Sequence, residues 1–357
     1  MQVIVGMSGG VDSSVAAYLL KRAGHSVTGV FMKNWEEDND EGICTAEEDW
    51  RDVRNVCDKL DIPYYSVNFS KEYYERVFSV FLEAFKKGYT PNPDVLCNRE
   101  IKFKAFLDYA MQSGAESIAT GHFVRKGVGN TLLKGLDPNK DQSYFLYMLK
   151  TEQIKKSVFP VGELSKAEVR QIAKEAGIPV HAKKDSTGIC FIGERNFKKF
   201  LQGYIPTKPG IMRTEKGEAV GQHDGLMFYT IGQRRGLNIG GKGDGRSFFV
   251  VGKDFKNNEL IVVQGDDHPM LYSSYAKVED ITWIGEAPKE NEDIELCAKF
   301  RYRQKDRPVY LNYSGTKGVI TCKTPERALT PGQSVVFYLG DTCLGGAILT
   351  EALSEKP

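Results

Sequence analysis

Apolar residues follow two rhythms along this chain, and the change between them divides it. Up to about residue 200, short β-rich runs alternate with longer runs of helical spacing. MQVIVGM predicts a strand, and DSSVAAYLLKRAG a helix that stops at Gly24. HSVTGVFMK and IPYYSVNF predict two more strands, with the helix AEEDWRDVRNVCDKL between them. Helices follow over KEYYERVFSVFLEAFKKG and PDVLCNREIKFKAFLDYAMQSG, then a strand in ESIATGH. Strands separated by helices of this length predict a parallel sheet with right-handed crossovers. Ligands on such sheets collect at the carboxyl ends of the strands, where Gly6 to Ser14 and Thr120-Gly121-His122 both fall.

After about residue 205, Gly and Pro increase and the runs shorten: RSFFVVGKD, ELIVVQG, YAKVEDITWIG, IELCAKFRYR, RPVYLNYSG, GVITCKT and QSVVFYLGD. Short strands at regular spacing with turn signals predict a small barrel or sandwich, with a break near 275 after HPMLYSSY. Three units are therefore expected: an α/β parallel-sheet domain over 1–204, a small central domain over 205–274 and a β-rich domain over 275–357. No internal repeat or low-complexity segment interrupts them. The eight acids and no bases between Asn34 and Asp49 read as a solvated loop.

Composition narrows the function classes. At 357 residues with 41% hydrophobic content, the chain can bury more than one core, and no window supplies the ~18 uncharged apolar residues of a membrane span. The N-terminus runs directly into a strand with no basic leader, which argues against export. Seven cysteines, at 44, 57, 97, 190, 297, 322 and 343, form no CxxC pair, so neither a zinc framework nor a secreted disulfide scaffold is indicated. A reducing cytoplasm is the expected setting. A net charge of 48 − 47 = +1 gives no general affinity for nucleic acid. Locally, Ala298 to Ala328 carries eight bases (Lys299, Arg301, Arg303, Lys305, Arg307, Lys317, Lys323, Arg327) against Asp306 and Glu326, or +6, with Tyr302, Tyr310 and Tyr313 interleaved. That stretch suits RNA contact or a solvated strand face.

The chemistry concentrates in three stretches. In GMSGGVDSS, Gly9 and Gly10 let backbone N–H groups approach an anion, the following helix adds its dipole, and Ser8, Ser13 and Ser14 add donors. No lysine follows the glycines, so GxxxxGK[ST] is absent, and the GxGxxG spacing is not met either. A lysine-free loop suits a pyrophosphate that leaves, although an ordinary βα turn can have the same composition. In TPNPDVLCN, Asn92 suits an N-cap, Pro93 the first helical position and Asp94 the first turn, which puts Cys97 about one turn into a helix. The dipole favours a thiolate there, whereas Asp94 on the same face opposes it. The pair suggests proton handling beside a nucleophile, or else a buried structural cysteine behind a capped helix. In KKDSTGICFIGERNF, Cys190 reads as a thiol on a surface loop or as a half-buried strand residue, while Cys57 reads as core.

GMSGGVDSS resembles the PP-loop of ATP pyrophosphatases, which cleave ATP between its α- and β-phosphates and adenylate a substrate oxygen. NPDVLCN, ATGH, KDQSYFL, DSTGICFIGERNF, GLMFYTIGQRRGL and KFRYRQ together resemble the tRNA-specific 2-thiouridylase family over essentially the whole chain. The resemblance implies a Rossmann-like domain that binds ATP, a central domain that docks tRNA and a C-terminal β-barrel. ATP would be held by Gly6, Met7, Ser8, Gly9, Gly10, Val11, Asp12, Ser13, Met32 and Gly121. Cys190 would carry a persulfide and Cys97 would be its partner nucleophile. Asn92, Pro93 and Asp94 would contact the target base, with Asp94 as general acid or base. It places further tRNA contacts at His122, Lys140, Asp141, Gln142, Arg301, Tyr302 and Gln333. Of these, His122 taken alone reads as a satisfied strand-end histidine. Magnesium would accompany ATP with no identifiable protein ligand. The implied partners are wobble-uridine tRNAs for glutamate, lysine and glutamine, and a cysteine desulfurase or sulfur-relay protein. A PP-loop enzyme acting on a small molecule is the alternative.

Overall fold

The computed structural model describes residues 1–35, 45–185, 197–240 and 245–357. Among the described residues, seven strands lie in the first half: β1 (Gln2–Met7), β2 (Ser26–Lys33), β3 (Tyr64–Asn68), β4 (Ser117–Ala119), β5 (Val124–Lys126), β6 (Leu132–Lys134) and β7 (Ser157–Val158). Five of them form a parallel sheet in the order β3-β2-β1-β4-β7. The chain runs outward from β1 through β2 to β3 and returns on the other side of β1 as β4. The order therefore reverses between β1 and β4, and a crevice opens at their carboxyl ends.

Between these strands run α1 (Val11–Arg22), α2 (Thr45–Leu60), α3 over 70–86, α4 over 93–112, α5 (Thr151–Lys155) and α6 (Lys166–Glu175). Alternate residues of β1 serve opposite faces. Val3, Val5 and Met7 pack with Val15 of α1, Val53 of α2 and Val169 of α6, whereas Ile4 packs with Phe78 of α3 and Ile101 and Phe106 of α4. With both faces covered, the strand has no polar alternation, and VIV reads as a continuous apolar run. Both α3 and α4 contain a wider turn, at Tyr74–Phe78 and Asn98–Ala105 respectively, where the hydrogen bonds shift by one residue.

After α7 (Phe197–Gln202), β8 (Gly210–Thr214), β9 (Ala219–His223), β10 (Phe248–Asp254) and β11 (Glu259–Gln264) form a four-stranded sheet, β10-β11-β8-β9. This sheet touches the turn after α3: Lys253 Nζ donates to the Gly88 carbonyl at 2.8 Å. A Cβ on Gly88 would lie 2.0 Å from the Phe255 ring.

Six antiparallel strands close the chain: β12 (Tyr272–Trp283), β13 (Ile294–Lys299), β14 (Arg307–Ser314), β15 (Lys317–Arg327), β16 (Ser334–Leu339) and β17 (Thr342–Leu353). The order is β12-β15-β14-β13-β16-β17, and β17 pairs back to β12, so the sheet closes into a barrel. Val309, Leu311 and Tyr313 alternate inward along β14. Of the two β architectures open from sequence, the barrel is the one formed, and it leaves β12 and β17 with no free edge. The first turn of β17 also pairs with β6, so the β5–β6 hairpin of the sheet domain extends the barrel wall.

One predicted strand is shorter than expected. IELCAKFRYR ends at Lys299, and Arg303 takes φ 65°, which turns the chain. Among the described residues, no helix is long and apolar enough to cross a membrane.

Candidate active site

The phosphate loop lies at the reversal of strand order. Gly9 has φ 74°, and a Cβ on it would lie 2.7 Å from the Asp49 carbonyl oxygen, so conformation and contact both require glycine. Gly10 is the N-cap of α1 and makes no side-chain cap hydrogen bond to the first N–H groups of the helix, the kind of helix start that can accept an anion. The Ser8 and Ser13 hydroxyls meet at 3.2 Å, and Ser13 Oγ also accepts the Ser8 N–H at 3.2 Å. Ser14 Oγ donates to the Gly10 carbonyl at 2.8 Å, which tightens the turn. Met7 and Val11 bury their side chains in the core, so what they can offer the crevice is backbone.

Two further residues complete the rim. A Cβ on Gly121 would lie 2.6 Å from the Ser13 nitrogen and 2.7 Å from the Asp12 carbonyl carbon, so the turn after β4 rests directly on the first turn of α1. A Cβ on Gly6 would lie 3.1 Å from Met32 Cε and 3.4 Å from the Phe106 ring. Phe106 belongs to α4, the helix that carries Cys97. The start of the loop thus packs on the cysteine helix at Phe106, nine residues along from Cys97.

Charge gathers at the same edge. Asp12 Oδ1 receives Lys166 Nζ at 2.5 Å, and Lys166 also pairs with Asp185 at 2.7 Å. Asp185 in turn pairs with Lys140 and, at 2.8 Å, with Arg170. Burial raises the Asp12 carboxyl above its ordinary value, against the pull of Lys166. For Asp185 burial acts in the same direction, but Lys140 and Lys166 outweigh it and hold the group down to about 2. Lys166 carries no motif signal; the only cue in SKAE is the capping box Ser165–Glu168, which the structure forms.

The Cys97 helix starts as its sequence predicts. Asn92 accepts the Asp94 N–H at 3.1 Å, Pro93 takes the first helical position, and Cys97 ends the first regular turn fully buried. Asn98, also buried, donates to the Phe145 carbonyl at 3.1 Å, and the Phe145 ring packs on Tyr302 at 4.5 Å. Barrel residues also hold the loop leading into Asn92. Gln333 Nε2 donates to the Thr90 carbonyl at 2.6 Å, and Thr90 N–H to the Pro331 carbonyl at 2.9 Å. Arg301 donates to the Ala328 carbonyl at 2.6 Å. Tyr302 and Gln333 are thereby brought to the Asn92–Cys97 segment, with Arg301 next to Tyr302 in the chain.

The remaining residues are arranged differently. Lys140 joins the Asp185 cluster beside the phosphate loop. Asp141 is buried, accepting from the Gly135 and Ser143 N–H groups at 3.1 Å each and from Lys299 at 3.2 Å. Gln142 accepts the Phe123 N–H at 2.9 Å. His122 is buried with Nδ1 2.8 Å from Thr120 Oγ1; burial first, and then the Lys102 charge, keep its pKa well below 6.5. Cys190 lies outside the described residues. Cys57 is core, as expected, its thiol pushed up to about 12 by burial. In the basic barrel stretch, Lys299, Arg307, Lys317 and Lys323 already pair with Asp141, Glu326, Glu279 and Glu295.

Three family profiles match the chain in series. They are described as a tRNA methyl transferase HUP domain over residues 1–194, a tRNA methyl transferase PRC-barrel domain over 198–264 and an aminomethyltransferase beta-barrel domain over 273–349. Relatives match at full length. The tRNA-specific 2-thiouridylase MnmA of Alkaliphilus oremlandii (strain OhILAs) is 55% identical over 357 residues, 99% of this chain and 98% of its own. The tRNA-specific 2-thiouridylase MnmA 1 of Geobacillus kaustophilus (strain HTA426) is 56% identical over 99% of this chain and 96% of its own. Solved structures are more distant: NMN synthetase from Francisella tularensis aligns over 57% of this chain and 77% of its own at 19% identity and a TM-score of 0.35. Identity above one half over nearly the whole of both chains decides the relationship, and the chain belongs to the tRNA-specific 2-thiouridylase family.

Proposed function

We propose that the protein is a tRNA-uridine 2-sulfurtransferase that spends ATP to activate the C2 oxygen of the wobble uridine and then replaces that oxygen with sulfur. One observation carries this reading: an anion loop without lysine and a capped helix bearing a buried cysteine meet at a single sheet edge, in a chain whose relatives are thiouridylases along their full length. The phosphates of ATP lie on Gly9 to Ser13, with Met32 and Gly121 against its adenosine part. The uridine oxygen attacks the α-phosphorus, the bond to the bridging oxygen breaks, and pyrophosphate leaves with the electron pair. The oxygen is now part of a good leaving group, AMP.

The terminal sulfur of a persulfide on Cys190 then attacks C2 and AMP departs. Cys97 attacks the Cys190 sulfur, breaking the S–S bond. This leaves sulfur on the uridine and a Cys97–Cys190 disulfide, which an external thiol reductant must restore. Asp94 exchanges the protons at the base, and Asn92 and Pro93 position it. Magnesium comes with the nucleotide. Asp12 is the carboxylate at the loop, and among the described residues no group of three or more His, Cys, Asp or Glu forms a metal site of its own.

The RNA lies across the edge formed by Arg301, Tyr302 and Gln333, with Lys140, Asp141, Gln142 and His122 at the sheet side. Its expected identities are the wobble-uridine tRNAs for glutamate, lysine and glutamine. The sulfur comes from a cysteine desulfurase or a relay protein in the cytoplasm. Residues 1–204, 205–274 and 275–357 act as the ATP-binding, tRNA-docking and barrel units. The test is pyrophosphate release from ATP–magnesium with and without unmodified tRNA. Release that depends on tRNA supports this reading; equal release without RNA moves the chain to a small-molecule ligase.

A further inference from the structure

Between Gly6 and Ser14 the only charged side chain is Asp12, so the phosphate loop brings no cation of its own. The fold delivers one from elsewhere. Lys166 is the first residue of α6, 154 positions along the chain from Asp12, and its Nζ lies 2.5 Å from Asp12 Oδ1 and 2.7 Å from Asp185 Oδ1. Its side chain is only 12% exposed. Its backbone is fixed as well: the Lys166 N–H donates to Asp137 Oδ2 at 3.0 Å, and the Ser165–Glu168 capping box holds the helix start. Lys140 and Arg170 close on the same Asp185 carboxylate. Three cations thus gather beside the loop with the carboxylates of Asp12, Asp185 and Asp137, 3 − 3 = 0 overall, and Lys166 is the one of them paired with a loop residue. The neighbouring Lys183 is paired apart from this group, with Asp49 and Asp52.

We propose that Lys166 is the phosphate-binding cation of this loop, poised by Asp12 and Asp185, and that it neutralises the pyrophosphate leaving from ATP. This rests on the nucleotide reading of the site given above. An ammonium group has three donors. Two of them meet Asp12 and Asp185, with the Phe123 ring 5.8 Å away, and the third is assigned to a phosphate oxygen over Gly9–Ser13. As the bond between the α-phosphorus and the bridging oxygen breaks, negative charge grows on the departing pyrophosphate, next to this buried donor. A fixed charge in a partly desolvated site stabilises such a development more than a solvated one does. Asp185 occupies all three of these cations in the resting chain, so it is the internal anion with which the phosphates compete.

The test is equilibrium binding of ATP, pyrophosphate and AMP to the full-length chain and to Lys166→Gln, Lys166→Arg and Asp185→Asn. Thermal unfolding of each variant is followed in parallel. The expected result is that Lys166→Gln weakens ATP and pyrophosphate by about tenfold or more while AMP binding is unchanged. Lys166→Arg recovers most of the loss, and Asp185→Asn binds pyrophosphate at least as tightly as the unaltered chain. Wild-type pyrophosphate affinity in Lys166→Gln overturns the proposal. So does an Asp185→Asn loss equal to that of Lys166→Gln, since Lys166 would then act only by holding Asp185. If Lys166→Gln fails to fold, the Lys166→Arg and Asp185→Asn arms decide alone. An unaltered chain that binds no ATP overturns the nucleotide reading itself, and the proposal with it.

Discussion

At single positions, backbone crowding decides more than side-chain chemistry does. Gly121 meets the backbone of Ser13 and Asp12 where a Cβ would sit, at 2.6 and 2.7 Å, and backbone cannot move aside as a flexible side chain can. Gly121→Ala should therefore cost about 1–3 kcal/mol in denaturant unfolding and should displace the first turn of α1, lowering ATP affinity at the same time. Unchanged stability and unchanged affinity would show that the turn after β4 does not rest on the loop. His122 is buried and its pKa is depressed, so it is neutral in the folded chain and free to protonate once unfolded. Below the ordinary value of 6.5 the unfolded state binds the extra proton. Stability should then fall by up to about 1.4 kcal/mol per pH unit as the pH drops from 6.5 toward the folded pKa. In His122→Gln that part of the slope should vanish. The glycines and serines of the loop were legible in sequence because their order is specific. The Lys166–Asp12 contact was not, because ion pairing between residues 154 positions apart leaves no local pattern.

Among the elements, β1 to β4 of the parallel sheet and the helices α1 to α4 were legible as alternating β-rich and helical runs, whereas β7, only two residues long, and the helices α5 and α6 went unpredicted. The helix over 93–112 also announced its own start. Asn92→Ala removes the acceptor of the Asp94 N–H and should cost about 0.5–2 kcal/mol, whereas Asn92→Ser should recover most of that stability. If Asn92 also contacts the target base, the serine variant will fold normally and still thiolate slowly. Recovery of both would leave the asparagine with a capping role alone. Two features escaped the sequence for physical reasons. The strand β17, absent from the sequence prediction, runs through Gly345 and Gly346, where Cβ atoms would lie 2.1 Å from the Thr282 carbonyl oxygen and 2.5 Å from that of Val335. The β5 and β6 strands have three residues each, too few to show a period.

Over the whole molecule, the sheet domain and the barrel share a polar seam. Asp141 accepts from Lys299 at 3.2 Å, Lys134 pairs with Asp306 at 2.5 Å, Tyr144 Oη donates to the Ser334 carbonyl at 2.8 Å, and the Ser143 and Tyr338 hydroxyls meet at 3.0 Å. Asp141→Ala leaves the Lys299 charge buried with its nearest remaining carboxylate, Asp306, 3.9 Å away, and should cost about 3–5 kcal/mol. The loss should appear as one earlier unfolding transition; two separated transitions would mean that the barrel and the sheet domain unfold independently. This seam fixes Tyr302 and Gln333 beside the Cys97 helix, so the edge proposed to face RNA and the loop proposed to hold ATP belong to one frame. The most direct test of that claim is nucleoside mass spectrometry of wobble-uridine tRNA after incubation with the protein, ATP–magnesium and a persulfide donor, with Cys97→Ser and Cys190→Ser alongside. A sulfur-for-oxygen mass shift at the wobble uridine, dependent on ATP and lost in Cys190→Ser, is the predicted result. An unshifted uridine accompanied by pyrophosphate release that ignores tRNA would contradict it.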